Sequence, residues 1–402
     1  MRSIYVDKNV PRFLAVRTLY GTWPGVVWSP LSHARVGRAP DPPLPGPRWI
    51  RVRNHQCGIC ATDLTLLFGR ASPGAAPVAL PGNARFYLGH EVVGEVVEVG
   101  RAVRRVRPGQ RVVMESRFAG PNCRTQEIDP RCRFCARGDT RLCENASLRR
   151  GPVGAGGGWG DSFTAHEDEV WPVPDALTDD QASLVEPTAV ALHAVLRRPP
   201  ERGDHVLVVG AGIIGLQVAQ AVRVVQPESH LTVLARHDHQ AQAARRLGAD
   251  AILRSGDVYA QAAAVTAAKH YRAPFHRGML LGGYDVVYDC VSSAATVTDS
   301  LRWARAAGTV VLVGVHLEFL KVDLNPIWYQ EVNLIGSHTF GPESWDGRRA
   351  HTFDLVMDRF LHGDLKSDGL ITHRFPFEDY RKAIATAADK RSGAIKVTFD
   401  LR

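Results

Sequence analysis

Four cysteines form the densest group of potential metal ligands in this 402-residue chain. They are Cys123, Cys132, Cys135 and Cys143, which follow the pattern C-x8-C-x2-C-x7-C. Four thiolates in one short segment are typical of a closed tetrahedral zinc site, which stabilises a fold and does no chemistry. Free surface thiols and a nucleic-acid-binding finger are alternatives, although a finger would need a recognition helix after Cys143. The spacing therefore favours a structural zinc site.

A second group of ligand types lies nearer the start of the chain. Cys57 and Cys60 form a C-x-x-C pair followed by Asp63, and Gly89 precedes His90 and Glu91. A redox pair of this spacing normally lies beside a βαβ unit, which the flanking sequence does not predict. Cys60, His90 and a carboxylate would instead give zinc three ligands and leave one coordination position open for a substrate. From these residues alone the pairing is only suggestive, because a lone histidine is more often a hydrogen-bonded structural residue.

A glycine-rich turn indicates a nucleotide site. The apolar run 206–209 leads directly into Gly210-Ala-Gly212-Ile213-Ile214-Gly215, after which a helical pattern begins. A G-x-G-x-x-G string is specific when it follows a buried strand and opens a helix, as it does here. The first two glycines permit the tight turn and the approach of a pyrophosphate, which the helix N-terminus stabilises. We therefore predict a dinucleotide-binding site at this turn.

The end of the next apolar run, 231–234, bears on which dinucleotide is bound. An acidic residue at such a strand end hydrogen-bonds the adenosine ribose of NAD. Here Ala235 occupies the expected position and Arg236 follows it, which suits a 2′-phosphate because a guanidinium binds phosphate oxygens as a fork. The pattern favours NADP(H) over NAD(H). If the register were shifted by three residues, Asp238 would supply the acid and NAD would be preferred.

The elements that must position these groups fall into two kinds. From about residue 48 to 170 the chain reads as short, β-branched segments separated by Gly and Pro turns. From about residue 186, apolar strands alternate with helical stretches, which predicts βαβ units and a parallel sheet. After about 341 the character is mixed again. We expect an α/β protein in which residues 188–340 form a Rossmann-type, doubly wound domain, and 1–187 together with 341–402 form a β-rich domain.

Composition excludes several other classes of protein. The net charge is +8, yet the 49 basic residues include only seven lysines, and the arginines are scattered rather than clustered. A nucleic-acid surface is therefore not expected, and a non-enzymatic nucleic-acid-binding protein is the weakest alternative. The apolar run 206–222 contains three glycines and two glutamines, so it reads as strand, turn and helix rather than a membrane span. With an odd cysteine count and no secretion signal, we expect no disulfides and a cytoplasmic protein.

Taken together, these motifs resemble the zinc-dependent medium-chain dehydrogenase family of alcohol and polyol dehydrogenases. The resemblance runs over about residues 45–400, and its anchors are CGICATD at 57–63, GHEVVGEV at 89–96, the cysteine segment at 123–143, VEPTAVALHA at 185–194, the glycine turn and DVVYDCV at 285–291. It implies a GroES-like catalytic domain around a Rossmann domain, catalytic and structural zinc ions, and a homodimer or homotetramer. The implied reaction is reversible hydride transfer between a nicotinamide cofactor and a secondary alcohol, polyol or sugar-like substrate.

The resemblance also assigns roles to individual residues. Cys60 and His90 match the first two ligands of the catalytic zinc, and Glu186 stands where the family has its third. The Glu-Pro at 186–187 is similar to polyol, threonine and sugar dehydrogenases rather than the alcohol enzymes. Glu91 is implied as an alternate ligand, and Asp63 as the carboxylate that orients His90.

Further matches concern the proton and the cofactor. Thr62 resembles the hydroxyl that passes the alcohol proton outward, but Thr65 stands where many relatives continue the relay with a histidine. Cys290 and Val291 match the strand end beside the nicotinamide, and Lys396 matches a basic position near the pyrophosphate.

Three features depart from the family pattern. The C-x8-C opening of the cysteine segment is wider than the usual C-x2-C. The first 45 residues are long and contain Trp23 and Trp28, which suit either a cover for the substrate cleft or a subunit contact. An insertion near 262–283 is expected to be a solvated loop.

Overall fold

The computed structural model describes residues 1–38, 40–72, 74–75, 85–115, 121–146, 153–274, 276–315 and 317–402. Their contacts divide the chain into two compact units, which we call unit 1 (Met1–Glu186 with Ile371–Arg402) and unit 2 (Pro187–Leu370). In the described part of the chain, no helix is both long and apolar enough to span a membrane.

The strands are numbered along the chain: β1 (Arg2–Asp7), β2 (Ala34–Arg38), β3 (Trp49–Gly58), β4 (Arg85–Tyr87), β5 (Glu91–Val99), β6 (Arg111–Met114), β7 (Ser162–His166), β8 (Val170–Pro172), β9 (His205–Val209), β10 (His230–Leu234), β11 (Ala251–Leu253), β12 (Lys269–Ala273), β13 (His276–Leu281), β14 (Tyr284–Asp289), β15 (Ala304–Leu312), β16 (Asn333–Gly336), β17 (Pro342–Trp345), β18 (Arg348–His351), β19 (Ile371–Pro376) and β20 (Lys396–Asp400). The α-helices are α1 (Val10–Leu19), α2 (Ala61–Leu67), α3 (Arg133–Ala136), α4 (Asp179–Ser183), α5 (Val185–Arg197), α6 (Ile213–Val225), α7 (Asp238–Arg246), α8 (Val258–Thr266), α9 (Ala294–Trp303), α10 (Asn325–Tyr329), α11 (Thr352–Leu361) and α12 (Tyr380–Ala388).

Unit 1 is built on a seven-stranded sheet. Its order is β19-β20-β3-β5-β6-β8, and β7 pairs with β3 outside this path. The long β3 pairs antiparallel with β5, β7 and β20, so the segment returning from the C-terminus closes directly on the strand that leads to Cys60. Ile50 and Val52 of β3 have no exposed surface, in keeping with a strand that crosses the core. The β-rich character expected for this part of the chain is therefore what the structure shows.

The N-terminal segment is an integral part of unit 1. β1 pairs with β2 and β4 in a separate three-stranded sheet. Ile4, Val16 and Val26 have no exposed surface and belong to the main apolar core of the unit. Trp28 packs edge-on against Tyr380, with ring centroids 5.1 Å apart. This segment therefore contributes core residues as well as surface.

Unit 2 contains a parallel six-stranded sheet in the order β11-β10-β9-β14-β15-β16. When these six strands are renumbered 1 to 6 in the order in which they follow one another along the chain, the sheet order becomes 3-2-1-4-5-6. This is the arrangement of dinucleotide-binding domains. Val206, Leu207 and Val208 are fully buried, as expected for a strand covered by helices on both faces. The sequence-based expectation of a doubly wound sheet thus matches the observed topology.

Two boundaries differ from those expected from sequence. The first unit boundary lies one residue from the expected 187, but the return to unit 1 begins at Ile371 rather than at 341. Residues 341–370 belong to unit 2 because long-range contacts hold them there. Glu343 contacts the buried His193 ring at 2.5 Å, and Lys366 N–H donates to the Gln220 side chain at 2.7 Å. Such pairings between distant segments leave no mark in local sequence pattern.

The insertion expected as a solvated loop is instead largely ordered. It forms the end of α8 and an antiparallel hairpin of β12 and β13. Tyr259 of α8 stacks on His270 of the hairpin, with centroids 5.1 Å apart, and Leu280 is fully buried. The hairpin is therefore anchored to unit 2.

Candidate active site

Cys60 and His90 come together where two elements of unit 1 begin. Cys60 is the N-cap residue of α2, directly after β3, and His90 immediately precedes β5, which pairs with β3. The Cys60 thiol, one His90 ring nitrogen and one Glu91 carboxylate oxygen lie within 4.8 Å of one another. Antiparallel pairing of β3 with β5 therefore brings together ligand types that are thirty residues apart in sequence.

Asp63 lies against the His90 ring. Its Oδ2 is 3.3 Å from His90 Nδ1, and its Oδ1 accepts a hydrogen bond of 3.1 Å from the Gly89 N–H. Burial lowers the pKa of His90, but the charges of Asp63 and Cys60 outweigh it and raise that pKa well above its usual value. The contact places a carboxylate beside the ring, as expected for the partner of a metal-binding histidine.

Glu91 forms a buried ion pair that the sequence did not suggest. The Lys396 ammonium contacts Glu91 Oε2 and lies 3.4 Å from the Ile59 carbonyl oxygen, and only 2% of the lysine is exposed. Glu91 Oε1 is buried and has no hydrogen-bond partner among the described residues. One carboxylate oxygen is thus neutralised while the other is available to a cation. The ion pair with Glu91 does not test whether Lys396 contacts a cofactor pyrophosphate, so that contact stays a prediction.

Glu186, the expected third ligand, is buried near this group but outside the 4.8 Å cluster. Burial and the charge of Glu91 raise its pKa to about 7, against the positive charges of His90 and Lys396, which lower it. Glu91 therefore lies within the cluster of ligand atoms, and Glu186 is a second buried carboxylate on which the charges of His90 and Glu91 act. The sequence indicated Glu186 as the third ligand and Glu91 as the alternate. In the structure it is Glu91 that lies within the cluster formed with Cys60 and His90.

The two threonines of α2 differ in their surroundings. Thr62 is half-buried at the start of the helix, two residues after Cys60. Thr65 is directed elsewhere, since its hydroxyl donates a hydrogen bond of 2.9 Å to the Ala61 carbonyl oxygen. This internal bond makes Thr65 a poor replacement for the histidine that many relatives have at this position.

The cysteine segment forms a second cluster in unit 1. The sulfur atoms of Cys123, Cys132, Cys135 and Cys143 lie within 4.8 Å of one another, and those of Cys123 and Cys143 are 3.6 Å apart. Tetrahedral ligands at the usual zinc–sulfur distance of ~2.3 Å are separated by about 3.8 Å, so the four sulfurs fit one zinc ion. All four cysteines are free of disulfides.

Hydrogen bonds around this cluster favour the thiolate of Cys132, whereas burial raises the pKa of Cys143 to about 11 and also raises that of Cys135. Cys143 Sγ accepts a hydrogen bond from the Asn145 N–H at 3.3 Å, and Cys123 Sγ accepts one from the Asn145 side-chain amide at 3.2 Å. At Cys132 burial raises the pKa, but hydrogen bonds from the Cys135 and Glu144 backbones prevail and lower it to about 6. Despite the wide C-x8-C opening, Cys123 takes its place beside the other three sulfurs.

The predicted glycine turn lies at the carboxyl end of β9 in unit 2. Gly210 has a φ of 94°, and a side chain there would clash with Val291; a Cβ on Gly215 would lie 1.7 Å from the Gly210 carbonyl oxygen. Gly212 caps α6, whose first residues are Ile213 and Ile214. Their N–H groups have no carbonyl partner within the helix and are available to a phosphate.

Cys290 and Val291 follow β14, the strand next to β9 in the sheet. The Asp289 side chain accepts a hydrogen bond from the Val291 N–H at 2.9 Å, which sets the course of the chain after the strand. Val291 lies against Gly210, since a Cβ placed on that glycine would be only 2.5 Å from a methyl carbon of Val291. Both residues therefore lie at the edge of the sheet where the glycine turn lies.

The strand-end residues that bear on cofactor choice differ in exposure. Ala235 is fully buried, whereas the Arg236 side chain is exposed and forms no ion pair within the described part of the chain. Asp238, the alternative ribose-binding acid, is paired with Arg254 at 2.5 Å at the start of α7. Arg254 directly follows β11, and Arg236 lies two residues after the end of β10, so the neighbouring strand ends each carry an arginine that sequence analysis did not connect.

Comparisons with known proteins agree with this architecture. Residues 46–175 match the alcohol dehydrogenase GroES-like domain, and residues 210–352 match the zinc-binding dehydrogenase domain. Together the two matches span unit 1's metal-ligand clusters and unit 2's glycine turn. The chain therefore belongs to the zinc-dependent medium-chain dehydrogenase family. Within that family it is an NAD(P)-dependent alcohol or polyol dehydrogenase.

Individual relatives are similar along most of their length. D-arabinitol dehydrogenase 1 of Uromyces fabae is 28% identical, over 89% of this chain and 92% of that protein. A sorbitol dehydrogenase of Halalkalibacterium halodurans is 26% identical, over 95% of this chain and 97% of that protein. Among solved structures, a zinc-binding dehydrogenase of Sinorhizobium meliloti with bound NADP is 28% identical, with a TM-score of 0.69 over 91% of this chain and 95% of that one.

Proposed function

We propose that the protein oxidises a secondary alcohol of a polyol or sugar-like substrate, reversibly, with NADP⁺ as the hydride acceptor, NADPH as the donor in the reverse direction, and a zinc ion at the Cys60–His90 centre. The observation that carries the proposal is the chemistry of that centre. A thiol, an imidazole and the buried Glu91 carboxylate lie within 4.8 Å of one another in unit 1, and the charge of His90 acts on a second buried carboxylate, Glu186. Similarity to arabinitol and sorbitol dehydrogenases supports the substrate class.

The donor set fits a catalytic zinc ion. Cys60 and His90 supply the soft and borderline ligands, and a carboxylate, Glu91 or Glu186, supplies the third. The unpartnered Glu91 Oε1 is the kind of buried acceptor that a cation satisfies. When bound, zinc supplies a Lewis acid for the alcohol oxygen, and the nicotinamide accepts the hydride.

The protein's own groups have separate tasks in this proposal. Asp63 holds the His90 ring in one orientation through its 3.3 Å contact. Lys396 balances one carboxylate charge, so that the centre does not accumulate uncompensated negative charge. Thr62 accepts the alcohol proton and passes it outward. Because the Thr65 hydroxyl is bonded to the Ala61 carbonyl oxygen, a water molecule or another base completes the path.

The preference for NADP(H) is supported by the surroundings of Arg236. This arginine is exposed and unpaired within the described residues, next to a buried alanine that cannot accept a ribose hydroxyl bond. Asp238 is engaged by Arg254, which weakens the alternative with NAD. The structure of a relative with bound NADP is consistent with this preference.

The proposal is tested with zinc-loaded protein and a panel of polyols, sugars and their keto forms. We expect turnover with at least one secondary alcohol and a higher kcat/KM with NADP than with NAD. Arg236→Ala should lower kcat/KM for NADP about tenfold or more and leave that for NAD nearly unchanged. Absence of zinc from pure protein together with full activity of Cys60→Ser would refute the catalytic assignment. An unchanged cofactor preference in Arg236→Ala would refute the role of that arginine.

An assembly of two or four copies, expected from the family resemblance, belongs to the same proposal. Light scattering coupled to size-exclusion chromatography tests it, and a monomer at micromolar concentration would contradict it.

A further inference from the structure

The chain between β1 and β2 is far longer than the pairing of these strands requires. They are antiparallel neighbours, with Val6 opposite Ala34, and hairpin strands are commonly joined by about two to five residues. Here residues 8–33 intervene, and they form α1 and a 3₁₀ helix over Pro24–Trp28. We call residues 8–33 the β1–β2 connection. Because strand pairing does not require its length, its contacts elsewhere in unit 1 indicate its role.

The C-terminal end of α2 is closed by a glycine motif. Gly69 follows the helix with a φ of 63°, and its N–H donates to the Leu66 carbonyl oxygen at 3.2 Å. The Arg70 N–H donates to the Thr65 carbonyl oxygen at 2.9 Å. This is the Schellman arrangement, which satisfies carbonyl groups that a helix end leaves without a partner. Since α2 has only seven residues and is too short to be stable in isolation, contacts with other elements must fix its position.

The β1–β2 connection packs directly on this end of α2. The backbone of α1 lies so close to Gly69 that a Cβ there would be 3.2 Å from both the Arg17 nitrogen and the Phe13 carbonyl oxygen. The buried His33 donates a hydrogen bond of 2.9 Å from Nε2 to the Leu66 carbonyl oxygen. The His33 ring in turn packs edge-on against that of Phe13, with centroids 5.2 Å apart. Backbone packing and a buried side-chain hydrogen bond therefore hold the same helix end.

Two further contacts extend this support beyond the last turn of the helix. The Arg17 guanidinium donates a hydrogen bond of 2.7 Å to the Ala71 carbonyl oxygen. Tyr20 stacks on Phe68, with ring centroids 4.6 Å apart. Residues 66–71 are therefore held by hydrogen bonds, by aromatic stacking and by backbone packing, all from the β1–β2 connection.

The opposite end of α2 carries groups of the proposed catalytic centre. Cys60 is its N-cap residue and Thr62 lies in its first turn. Asp63, also in the first turn, is 3.3 Å from the His90 ring. Because helical hydrogen bonds form cooperatively, a helix this short moves as one piece, and a shift at its C-terminal end displaces these groups together. A misplacement of about 1 Å can cost a reaction about a hundredfold in rate.

We propose that the β1–β2 connection positions α2 and, through it, Cys60, Thr62 and Asp63. His33 is the principal positioning residue, and it acts through the Leu66 carbonyl oxygen. The sequence suggested a cover for the substrate cleft or a subunit contact for this part of the chain, and the contacts with α2 support a third role. The inference rests on the proposed dehydrogenase function only where it predicts an effect on hydride transfer.

Hydrogen exchange tests the support of α2 without any turnover. In zinc-loaded His33→Leu, the amides of α2 should exchange about tenfold faster than in the wild type, because leucine fills the space but donates no bond to Leu66. His33→Gln retains a side-chain N–H donor and should restore most of the protection. Strand β3 serves as the internal reference. Equal protection of α2 in His33→Leu and the wild type would overturn the proposal and leave the dehydrogenase activity intact.

Val112→Ala is the matched control for loss of stability. Val112 is fully buried in β6, where it pairs with Gly94 and Pro172, so this change weakens the core of unit 1 at another place. It should lower Tm, as His33→Leu does, but leave the exchange of α2 relative to β3 unchanged. The same acceleration of α2 in Val112→Ala would show that general destabilisation, rather than the lost support, exposes the helix.

Zinc affinity reports on the Cys60–His90 centre itself, again without turnover. Competition with a chelator should show that His33→Leu weakens zinc binding at this centre about tenfold, and that His33→Gln restores it. The site of the four cysteines at 123–143 is the internal control, and its affinity should not change. Unchanged affinity at the Cys60–His90 centre, or an equal loss at both sites, would contradict the positioning role.

Single-turnover kinetics test the consequence for catalysis. With an alcohol that the wild type oxidises and saturating NADP⁺, hydride transfer in His33→Leu should be about tenfold slower and largely restored in His33→Gln. KM for NADP⁺ should not change, because the glycine turn at 210–215 lies in unit 2. A normal rate of hydride transfer despite faster exchange of α2 would overturn the positioning role. If no alcohol is oxidised, the proposed function fails, whereas exchange and zinc affinity still decide this proposal.

A milder pair of variants applies if His33→Leu does not fold. Arg17→Met removes the hydrogen bond to Ala71 at an exposed position, and should accelerate exchange of α2 and weaken zinc binding about threefold. Arg12→Met makes the same replacement at another exposed position of α1 and should change neither quantity. Equal behaviour of the two variants would contradict the proposal.

Discussion

The Lys396 ammonium and the Glu91 carboxylate form an ion pair between β20 and β5 that is almost entirely removed from solvent. The two residues are 305 positions apart in the chain, and their contact joins the returning C-terminal strand to the residue after His90. Removing a charge from such a pair is costlier than removing the pair, because the remaining charge stays buried without a partner.

We therefore expect Lys396→Met to lower the free energy of unfolding by about 3–5 kcal/mol. The double variant Glu91→Gln/Lys396→Met should recover a large part of this loss, since no charge is then stranded. Urea unfolding of the zinc-free proteins measures both values and avoids any contribution from metal binding. Equal stability of Lys396→Met and the wild type would contradict the pairing.

Metal content distinguishes the two clusters of unit 1. The wild type should contain two zinc ions per chain, one in each cluster. Cys60→Ser should lose one of them, with a fall in kcat of about a hundredfold or more because the ligand itself is removed. Cys290→Ser, which changes a cysteine of unit 2, should keep both ions. Elemental analysis of the pure proteins gives the counts, and two zinc ions in Cys60→Ser would place the catalytic metal elsewhere.

The cysteine segment should affect stability rather than chemistry. Cys135→Ser should lose the other zinc ion and lower Tm, because a structural zinc site contributes folding free energy directly. Activity per catalytic zinc ion should persist at temperatures where the variant is folded. Thermal unfolding measures the expected fall in Tm, and reaction rates per catalytic zinc ion measure whether activity persists. Loss of turnover with Tm unchanged would show that the cluster has a catalytic role.

These sites were predictable from sequence to different degrees, for physical reasons. The glycine turn at 210–215 and the cysteines at 123–143 are local patterns, in which spacing fixes the chemistry. The Glu91–Lys396 pair and the stacking of Arg70 on Tyr20 depend on the direction of side chains from distant segments, which no local period encodes. The contact between Glu343 and His193 likewise joins distant segments. The sequence therefore did not predict that the chain returns to unit 1 at Ile371.

Cofactor choice should respond to a single acid at the end of β10. Ala235→Asp introduces a carboxylate that repels a 2′-phosphate and can accept a bond from the ribose hydroxyl of NAD. We expect the ratio of kcat/KM for NADP to that for NAD to fall about a hundredfold. Arg254→Gln would release Asp238 from its partner and should shift the ratio in the same direction, but less. If Ala235→Asp left the ratio unchanged, the 2′-phosphate would bind away from this strand end.

Asp179, the first residue of α4, should contribute to the acid stability of unit 1. It is buried, and its carboxylate contacts His55 Nδ1 at 3.3 Å, Arg111 Nη1 at 2.7 Å and the Arg402 guanidinium. The contact with His55, together with the hydrogen bonds from Arg111 and Arg402, outweighs burial and holds the pKa of Asp179 well below its usual value.

A carboxyl group whose pKa is lower in the folded state stabilises the fold above its unfolded-state pKa of about 3.9. That contribution is fully present at neutral pH and is lost as the pH falls below about 5 toward the folded-state pKa. We therefore expect Asp179→Asn to be less stable than the wild type at pH 7 by about 3 kcal/mol, with the difference shrinking as the pH falls to 3. Asp175→Asn, at an exposed position of the loop that precedes α4, should show no such trend. Urea midpoints at a series of pH values measure the difference, and a gap that widened on acidification would contradict the lowered pKa of Asp179.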